Sequence, residues 1–122
     1  NNFDIVVDRA SLTHNDTDSI RNSISLINSK MSKGASFIGI DWFSTNHSDF
    51  HKCTNFEDKF TCSNLDAGQF KGVGKVHFSN KKHILDLFQD FEIKIMEEKQ
   101  ITSSIPVDNH VFASWNILAI KK

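Results

Sequence analysis

The chain has 122 residues, of which 39% are hydrophobic and 24% are charged, and its formal net charge is -1 at pH 7. This length suits one domain or part of one, and the apolar content suits a folded protein. The net charge argues against a protein that binds the phosphate backbone of a nucleic acid, because such a protein has a basic surface. No apolar run approaches the roughly 20 residues of a membrane-spanning helix, so we expect neither a nucleic acid nor a membrane as a partner.

The cysteine content and the N-terminal residues bear on the compartment. Only two cysteines occur, Cys53 and Cys62, and no basic segment followed by an apolar one marks a signal peptide. A secreted disulfide scaffold usually has more cysteines. We therefore expect a cytoplasmic protein with reduced thiols.

The first third of the chain has the pattern strand, helix, strand. Residues 3–7 (FDIVV) form a short, β-branched apolar run that is typical of a strand covered on both faces. Cap residues precede a helix predicted from about Thr17 to Lys33, and Gly34 would end it as a left-handed C-cap. A second strand is predicted from Ser36 to Asp41. Such a unit has parallel strands and a right-handed crossover.

Periodicity is then lost over residues 44–78, which are polar with scattered phenylalanines. A gap of this length is a functional insertion or a lid, and its phenylalanines should fold it over an apolar surface. A short helix capped by Ser79 or Asn80 follows, and two terminal strands, the first from Phe91, are predicted to pair antiparallel. The sequence therefore predicts an α/β fold with a mixed sheet.

Polar residues stand at the carboxyl ends of the first two predicted strands. Asp8, Arg9 and Ala10 follow the first strand, and residues 41–43 (Asp-Trp-Phe) end the second. Open α/β sheets bind ligands beyond the carboxyl ends of their strands, so the two groups should lie side by side on one rim. A surface ion pair or a turn cap would explain the same residues without a ligand.

Four stretches, taken in order, resemble the C-terminal half of a class I S-adenosylmethionine-dependent methyltransferase: FDIVVDRASLTHN, KGASFIGIDWFS, VHFSNKKHILDLFQDFEIKIMEEK and ASWNILAIKK. In that family the fourth strand has an FDxV-type start, the fifth follows a KxGG-like turn, here SKGA, and the last two strands form a reversed hairpin. The resemblance spans essentially the whole chain. It implies a Rossmann-like mixed sheet in which a parallel βαβ unit is followed by an insert, a helix and an antiparallel strand pair, half of the full fold.

The family's Gly-rich turn after its first strand, and the acidic residue that ends its second, have no counterpart here. The pair Gly72 and Gly74 lies in the insert and neither follows a strand nor opens a helix. We therefore expect residues 1–122 to be a single partial domain, a fragment whose N-terminal half is elsewhere. The Phe3–Val7 strand, central in the family's sheet, would then be an apolar edge, which predicts self-association or a need for the missing half.

The resemblance implies S-adenosylmethionine as the cofactor. Its methionine end would lie against the turn formed by Asp8, Arg9 and Ala10. His14 follows where family members often place a polar residue by the reacting methyl, and it is a candidate general base. An ordinary loop histidine is the alternative interpretation.

The second strand end carries the candidate acceptor site. Asp41 is a candidate catalytic residue that would orient or deprotonate the acceptor, and Trp42 and Phe43 would wall the pocket of a small-molecule acceptor. Insertions at the position of residues 44–78 set substrate choice in the family, so this segment would be the lid. The alternative is a turn cap, core aromatics and an extra packing layer.

No metal is expected. The spacing of His47, His51, Cys53 and Cys62 fits no standard structural zinc site, which favours paired cysteines two to four residues apart. His77 is interpreted as a structural histidine.

The leading hypothesis is the acceptor-side half of a small-molecule methyltransferase that transfers a methyl group to oxygen or nitrogen and is inactive by itself. A second hypothesis is a non-enzymatic α/β module that adds its first strand to a partner's sheet. A third is another doubly wound enzyme whose nucleotide-binding half is missing.

Overall fold

The protein is described by a computed structural model that covers residues 2–122, and within this range it contains two sheets. The main sheet has the order β1-β2-β7-β6, with β1 Phe3–Arg9, β2 Met31–Phe43, β6 Phe91–Ser104 and β7 Val107–Lys121. The smaller sheet has the order β3-β4-β5, with β3 Phe56–Asp58, β4 Thr61–Ser63 and β5 Lys75–His77. The helices are α1 Thr17–Lys30, α2 Ser48–Lys52 and α3 Lys81–Leu87, and a 3-10 turn spans Leu12–His14.

The main sheet confirms the predicted α/β class. β1 and β2 pair in parallel, with Val7 opposite Ile38, and α1 connects them. β7 lies between β2 and β6 and pairs antiparallel with both, so the last two strands form the predicted hairpin. Parallel and antiparallel pairs therefore share one mixed sheet.

The end of α1 differs from the prediction. The helix stops at Lys30, and Gly34 (φ +82°) lies inside β2 instead of capping the helix. A residue distant in sequence replaces the expected cap: the Lys121 ammonium donates to the carbonyl oxygens of Asn28 and Met31, at 2.6 and 2.8 Å. Such a cation also suits the negative end of the helix dipole.

One face of the main sheet is covered by α1 and α3. The main hydrophobic core lies between these two helices and the sheet. Its fully buried side chains include Ile20, Phe37, Trp42, Ile84 and Phe88. Asn80 caps α3 by accepting the His83 backbone N–H at 2.8 Å, as one of the two predicted caps. The helices are thus fixed by caps at their ends and by apolar contacts along one side.

The opposite face of the main sheet is exposed at β1, whereas the insert packs against Phe112 of β7. Phe3, Ile5 and Val7 are 57%, 64% and 57% exposed on it. The sequence predicted a first strand covered on both faces, and in this chain only one face is covered. Apolar side chains of the edge strand therefore lie in water.

The predicted insert is ordered. It contains α2 and the smaller sheet, and Phe50, Phe70 and Phe78 of this segment pack in a second hydrophobic cluster. The buried members of this cluster are Phe43, Cys62, Leu65, Phe70, Val76 and Phe78.

The expectation of reduced thiols is wrong. Cys53 and Cys62 form a disulfide, because the end of α2 and β4 bring their Cα atoms to 6.0 Å, within the usual range for such a bond. The cytoplasmic location stays a prediction without its cysteine argument, since disulfides persist mainly in oxidising compartments. Over residues 2–122, each helix is too short or too polar to cross a bilayer.

Candidate functional site

The two strand ends meet on one rim, as the sequence predicted. The Arg9 Nη2 lies 3.4 Å from Asp41 Oδ2. Asp41 Oδ1 also lies 2.8 Å from Lys99 Nζ and accepts a hydrogen bond from Ser114 Oγ at 3.0 Å. Lys99 and Ser114 face each other across the β6–β7 hairpin, so only the register of that hairpin reveals their place in the site.

The charge state of Asp41 follows from these contacts. Partial burial raises its pKa, but the hydrogen bonds from Lys99 and Ser114 and the charges of Lys99 and Arg9 outweigh that effect and hold the pKa below 3.8. A carboxylate of this kind accepts hydrogen bonds well and takes a proton poorly near neutral pH. The geometry therefore favours an orienting role for Asp41 over deprotonation.

The backbone at both strand ends adopts a left-handed conformation that is rare for residues with a Cβ. Ala10 has φ +57° and Asp41 has φ +54°. Asp41 lies in an irregularity of the β2–β7 ladder between Gly39 and Trp42, and its N–H donates to the Asn116 side-chain oxygen at 3.2 Å. Bulges redirect side chains, and backbone strain concentrates at functional sites.

Asp8 is a buried carboxyl group, 7% exposed, at the end of β1. Its Oδ1 accepts the Leu12 N–H at 3.2 Å, whereas its Oδ2 lacks a hydrogen-bond partner in the described part of the chain. Burial raises its pKa, opposed by the Leu12 N–H, the Trp42 indole N–H and the nearby His14. A buried carboxyl group with an unpartnered oxygen and a shifted pKa is a candidate functional group.

The Trp42 ring is held against the backbone of Gly39, where an added Cβ would lie 3.0 Å from Trp42 Nε1. This nitrogen is near enough to Asp8 to lower the pKa of that carboxyl, yet it meets hydrogen-bond geometry with no group of residues 2–122. Trp42 is fully buried in the main core against Phe37 and Phe88. It therefore approaches Asp8 from the side of the main core.

His14 and Phe43 stand beside this rim. His14 Nδ1 lies 3.0 Å from the Lys75 carbonyl oxygen, to which it donates, so Nε2 carries the free lone pair of the neutral ring. The His14 ring meets Phe43 edge-on at 5.9 Å, and Phe43 is 6% exposed within the cluster of the insert. Substrate contact by Trp42 and Phe43 remains a prediction, because both rings are buried.

A second polar cluster, absent from the predicted site, joins the insert to α3. Asp58 accepts from Thr61 Oγ1 at 3.0 Å, Thr61 Oγ1 lies 2.9 Å from His77 Nδ1, and the Nε2 atoms of His77 and His83 are 2.9 Å apart. The Phe60 ring stacks on His83 at 3.8 Å, beside a cleft of about 850 Å³. This chain of hydrogen bonds connects residues from four elements, which no local motif reveals.

Both histidines of this cluster are held neutral. Burial, the larger cause, and the neighbouring His83 together lower the pKa of His77 to about 4. Burial also lowers the pKa of His83 to about 4, with a contribution from the Arg21 charge. A neutral buried pair of this kind stabilises the fold only while it stays unprotonated.

No protein-family model and no curated protein matches the chain. Solved structures match its fold. An S-adenosylmethionine-dependent methyltransferase from Methanosarcina mazei superposes with a TM-score of 0.74 at 19% identity, over 98% of this chain and 59% of that one. TehB from Haemophilus influenzae gives a TM-score of 0.57 at 14% identity, over 99% and 36%.

A third structure, from work on the conversion of a disulfide bond into a thioacetal group during echinomycin biosynthesis, gives a TM-score of 0.55 at 18% identity, over 97% and 47%. At such identities the likeness shows the fold, which is that of S-adenosylmethionine-dependent methyltransferases. This chain spans between 36% and 59% of the length of these structures.

Proposed function

We propose that this chain is the acceptor-side half of a small-molecule S-adenosylmethionine-dependent methyltransferase. The observation that carries the proposal is the likeness of 98% of this chain to 59% of such an enzyme. The polar rim at the carboxyl ends of β1 and β2 supports it, because ligands of open α/β sheets lie there. The reaction would move a methyl group from a sulfonium to an oxygen or nitrogen nucleophile.

The turn after β1 fits the methionine end of the cofactor. Asp8 offers a buried carboxylate oxygen without a partner among residues 2–122, which suits a cationic ligand group. Arg9 and the left-handed backbone of Ala10 complete the turn. S-adenosylmethionine, when bound, supplies an electrophilic methyl group, and the Gly-rich turn that holds the rest of it has no counterpart in this sequence. The chain is therefore proposed to be inactive alone.

The end of β2 would serve the acceptor. Asp41, held ionised by Lys99 and Ser114, would accept a hydrogen bond from the acceptor hydroxyl or amine and orient its lone pair toward the methyl. His14 would take the proton that leaves, through its free Nε2. Most of the rate would come from positioning, with the insert as a lid over the rim.

The uncovered face of the main sheet would be covered by the N-terminal half of the enzyme. Phe3, Ile5 and Val7 are more than half exposed at an edge strand, which in the resembling family is central. An apolar strand in this state pairs readily with another chain. The proposed partners are thus the missing half or, without it, a second copy through β1.

The test is calorimetric titration of S-adenosylhomocysteine into the protein that carries this chain together with its N-terminal half, and into residues 1–122 alone. The longer protein should bind one equivalent and the 122-residue chain should show no saturable binding. Asp8→Ala should weaken binding at least about tenfold, as loss of a charged hydrogen-bonding group typically does. Asp4→Ala, an exposed carboxylate of the same strand, is the matched control. Failure of the longer protein to bind refutes the proposal.

The exposure of β1 also favours a second candidate, a non-enzymatic module that adds this strand to a partner's sheet. The same titration separates the two candidates. A module would bind no S-adenosylhomocysteine, and its association with a partner would depend on Ile5 and Val7.

A further inference from the structure

Two histidines and an aspartate that are distant in sequence meet where the insert touches β7. His47 caps α2, Asp49 lies in its first turn, and His110 lies on β7. The His47 and Asp49 side chains are fully buried, and that of His110 is 30% exposed. Asp49 Oδ1 lies 3.9 Å from His47 Nδ1 and 4.0 Å from His110 Nδ1.

The hydrogen bonds around these rings fix where their protons are. The Asp49 backbone N–H can only donate, so His47 Nδ1, at 3.0 Å, is an acceptor and His47 Nε2 carries the proton. That proton points to Gln69 Oε1 at 3.3 Å, and His110 Nε2 donates to the same oxygen at 3.0 Å. The Nδ1 lone pair of His47 therefore points to the Asp49 backbone N–H, and the His110 ring, with Nε2 as its donor, places Nδ1 4.0 Å from Asp49 Oδ1.

The Asp49 carboxylate is satisfied on one oxygen only. Its Oδ2 accepts the Phe70 N–H at 2.8 Å, whereas Oδ1 is buried and meets no donor anywhere in residues 2–122. Gly68 (φ +92°) lies over this carboxylate, and a Cβ there would stand 2.4 Å from Oδ1. A buried carboxylate oxygen without a partner is costly, and the Nδ1 atoms of His47 and His110 lie 3.9 and 4.0 Å from it. Only the Asp49 backbone N–H serves this group of three electron-pair donors, through His47 Nδ1, so a cation would satisfy the carboxylate oxygen that is left without a donor.

We propose that His47, Asp49 and His110 bind a divalent metal ion of the Zn²⁺ class through two Nδ1 atoms and Oδ1. The ligand atoms of these three residues all lie within 4.8 Å of one another. Zinc bonds of about 2.1 Å at tetrahedral angles need ligand atoms about 3.4 Å apart, so each nitrogen has to move about 0.5 Å toward Oδ1. The ion replaces the hydrogen bond between the Asp49 N–H and His47.

Two further features fit a metal site. Gln69 holds both imidazole N–H groups, the arrangement by which proteins orient histidine ligands. An open cleft of about 480 Å³, lined in part by Ser48 and Asp108, borders His110 and gives the ion an entry path. With three protein ligands, the fourth position is left for water or another ligand from that cleft.

The proposed site uses a different set of residues from the one considered in the sequence. Of the four residues considered there, only His47 takes part; His51 is exposed, and the two cysteines are paired with each other. His110 lies 63 residues after His47, and only the packing of α2 on β7 brings them together. A bound ion would fasten the insert to the main sheet.

The test uses the full 122-residue chain without a histidine tag and without thiol reagents, so that the disulfide stays closed. After treatment with a chelator, Zn²⁺ is titrated by calorimetry and Co²⁺ by visible absorption. We expect one ion per chain, a cobalt spectrum of a site with nitrogen and oxygen ligands, and a higher melting temperature with Zn²⁺. Asp49→Asn and His110→Gln should weaken Zn²⁺ binding at least about 100-fold, and Gln69→Leu about 10- to 100-fold.

The controls separate this site from adventitious binding. His51→Gln removes an exposed histidine of the same region and should leave the affinity within about twofold of wild type. Because His110 is partly exposed, the His110→Gln variant is decisive if the buried Asp49→Asn variant loses its circular dichroism. No saturable binding, or equal affinity in His110→Gln and His51→Gln, overturns the proposal. The measurement requires no methyltransferase activity, so its outcome is independent of the proposed function.

Discussion

The two faces of the main sheet differ in what lies against them, although both are apolar. Along β2, Phe37 is fully buried under α1 and α3, whereas the next residue, Ile38, points to the uncovered face. Along β7, Ala119 and Leu118 repeat this alternation, and Leu118 pairs with Ile38. An antiparallel sheet that faces water usually has polar residues on that side. This apolar face is the one that the proposed N-terminal half would cover.

The largest expected effect on the free energy of unfolding comes from a substitution on the covered face. Phe37→Ala removes a ring that packs against Trp42, Phe88 and Phe91, and it should lower the free energy of unfolding by about 3–5 kcal/mol. Ile38→Ala, the neighbouring change on the uncovered face, should cost about 1 kcal/mol or less. Urea denaturation of both variants measures the difference. Equal losses would mean that the two faces are equally packed.

Acid should also weaken the covered side, where α3 meets the insert. His77 and His83 have pKa values of about 4 in the folded state, against 6.5 for an ordinary histidine. Between pH 4 and pH 6.5, the unfolded chain therefore binds more protons than the folded chain. The stabilisation is complete above pH 6.5 and is lost as the pH falls toward 4, by an amount on the order of 3 kcal/mol.

Urea denaturation at several pH values between 7.5 and 4 measures this loss. His83→Gln should make the free energy of unfolding clearly less dependent on pH in that window. His51→Gln, which changes an exposed histidine, should leave the dependence as in wild type. An unchanged slope in His83→Gln would show that the buried pair does not titrate as described.

The smallest effect on stability, and the sharpest on association, is expected at the uncovered face. The double change Ile5→Lys and Val7→Lys places charges on an edge strand that is already exposed, so unfolding should change by about 0.5 kcal/mol or less. Light scattering after size exclusion should show that wild type self-associates and that the variant is monomeric. Leu26→Lys, at an exposed apolar residue of α1, is the control. A wild-type chain that is already monomeric contradicts the expectation.

Local sequence was enough for the elements whose signals are local. The β-branched run after Asn2, the capping Asn80 and the apolar alternation from Phe91 predicted elements that the structure confirms. The meeting of Arg9 with Asp41 also followed, because the carboxyl ends of neighbouring parallel strands share one edge. These predictions needed only chain order and periodicity.

The remaining features depend on contacts between distant residues. Lys99 reaches Asp41 only through the register of the hairpin, and Lys121 replaces the cap expected at Gly34. His110 approaches His47 only because α2 packs on β7. Composition suggested reduced thiols, since two cysteines say nothing about whether the fold brings them together. Tertiary packing decided each of these cases, and no short motif encodes it.

The left-handed conformation of Ala10 has an energetic consequence. A Cβ in this conformation costs a fold about 1–2 kcal/mol, which a glycine at the same turn would avoid. Contacts elsewhere in the fold offset this cost. Part of the free energy of folding is therefore used to hold one fixed backbone shape at the turn proposed to face the cofactor.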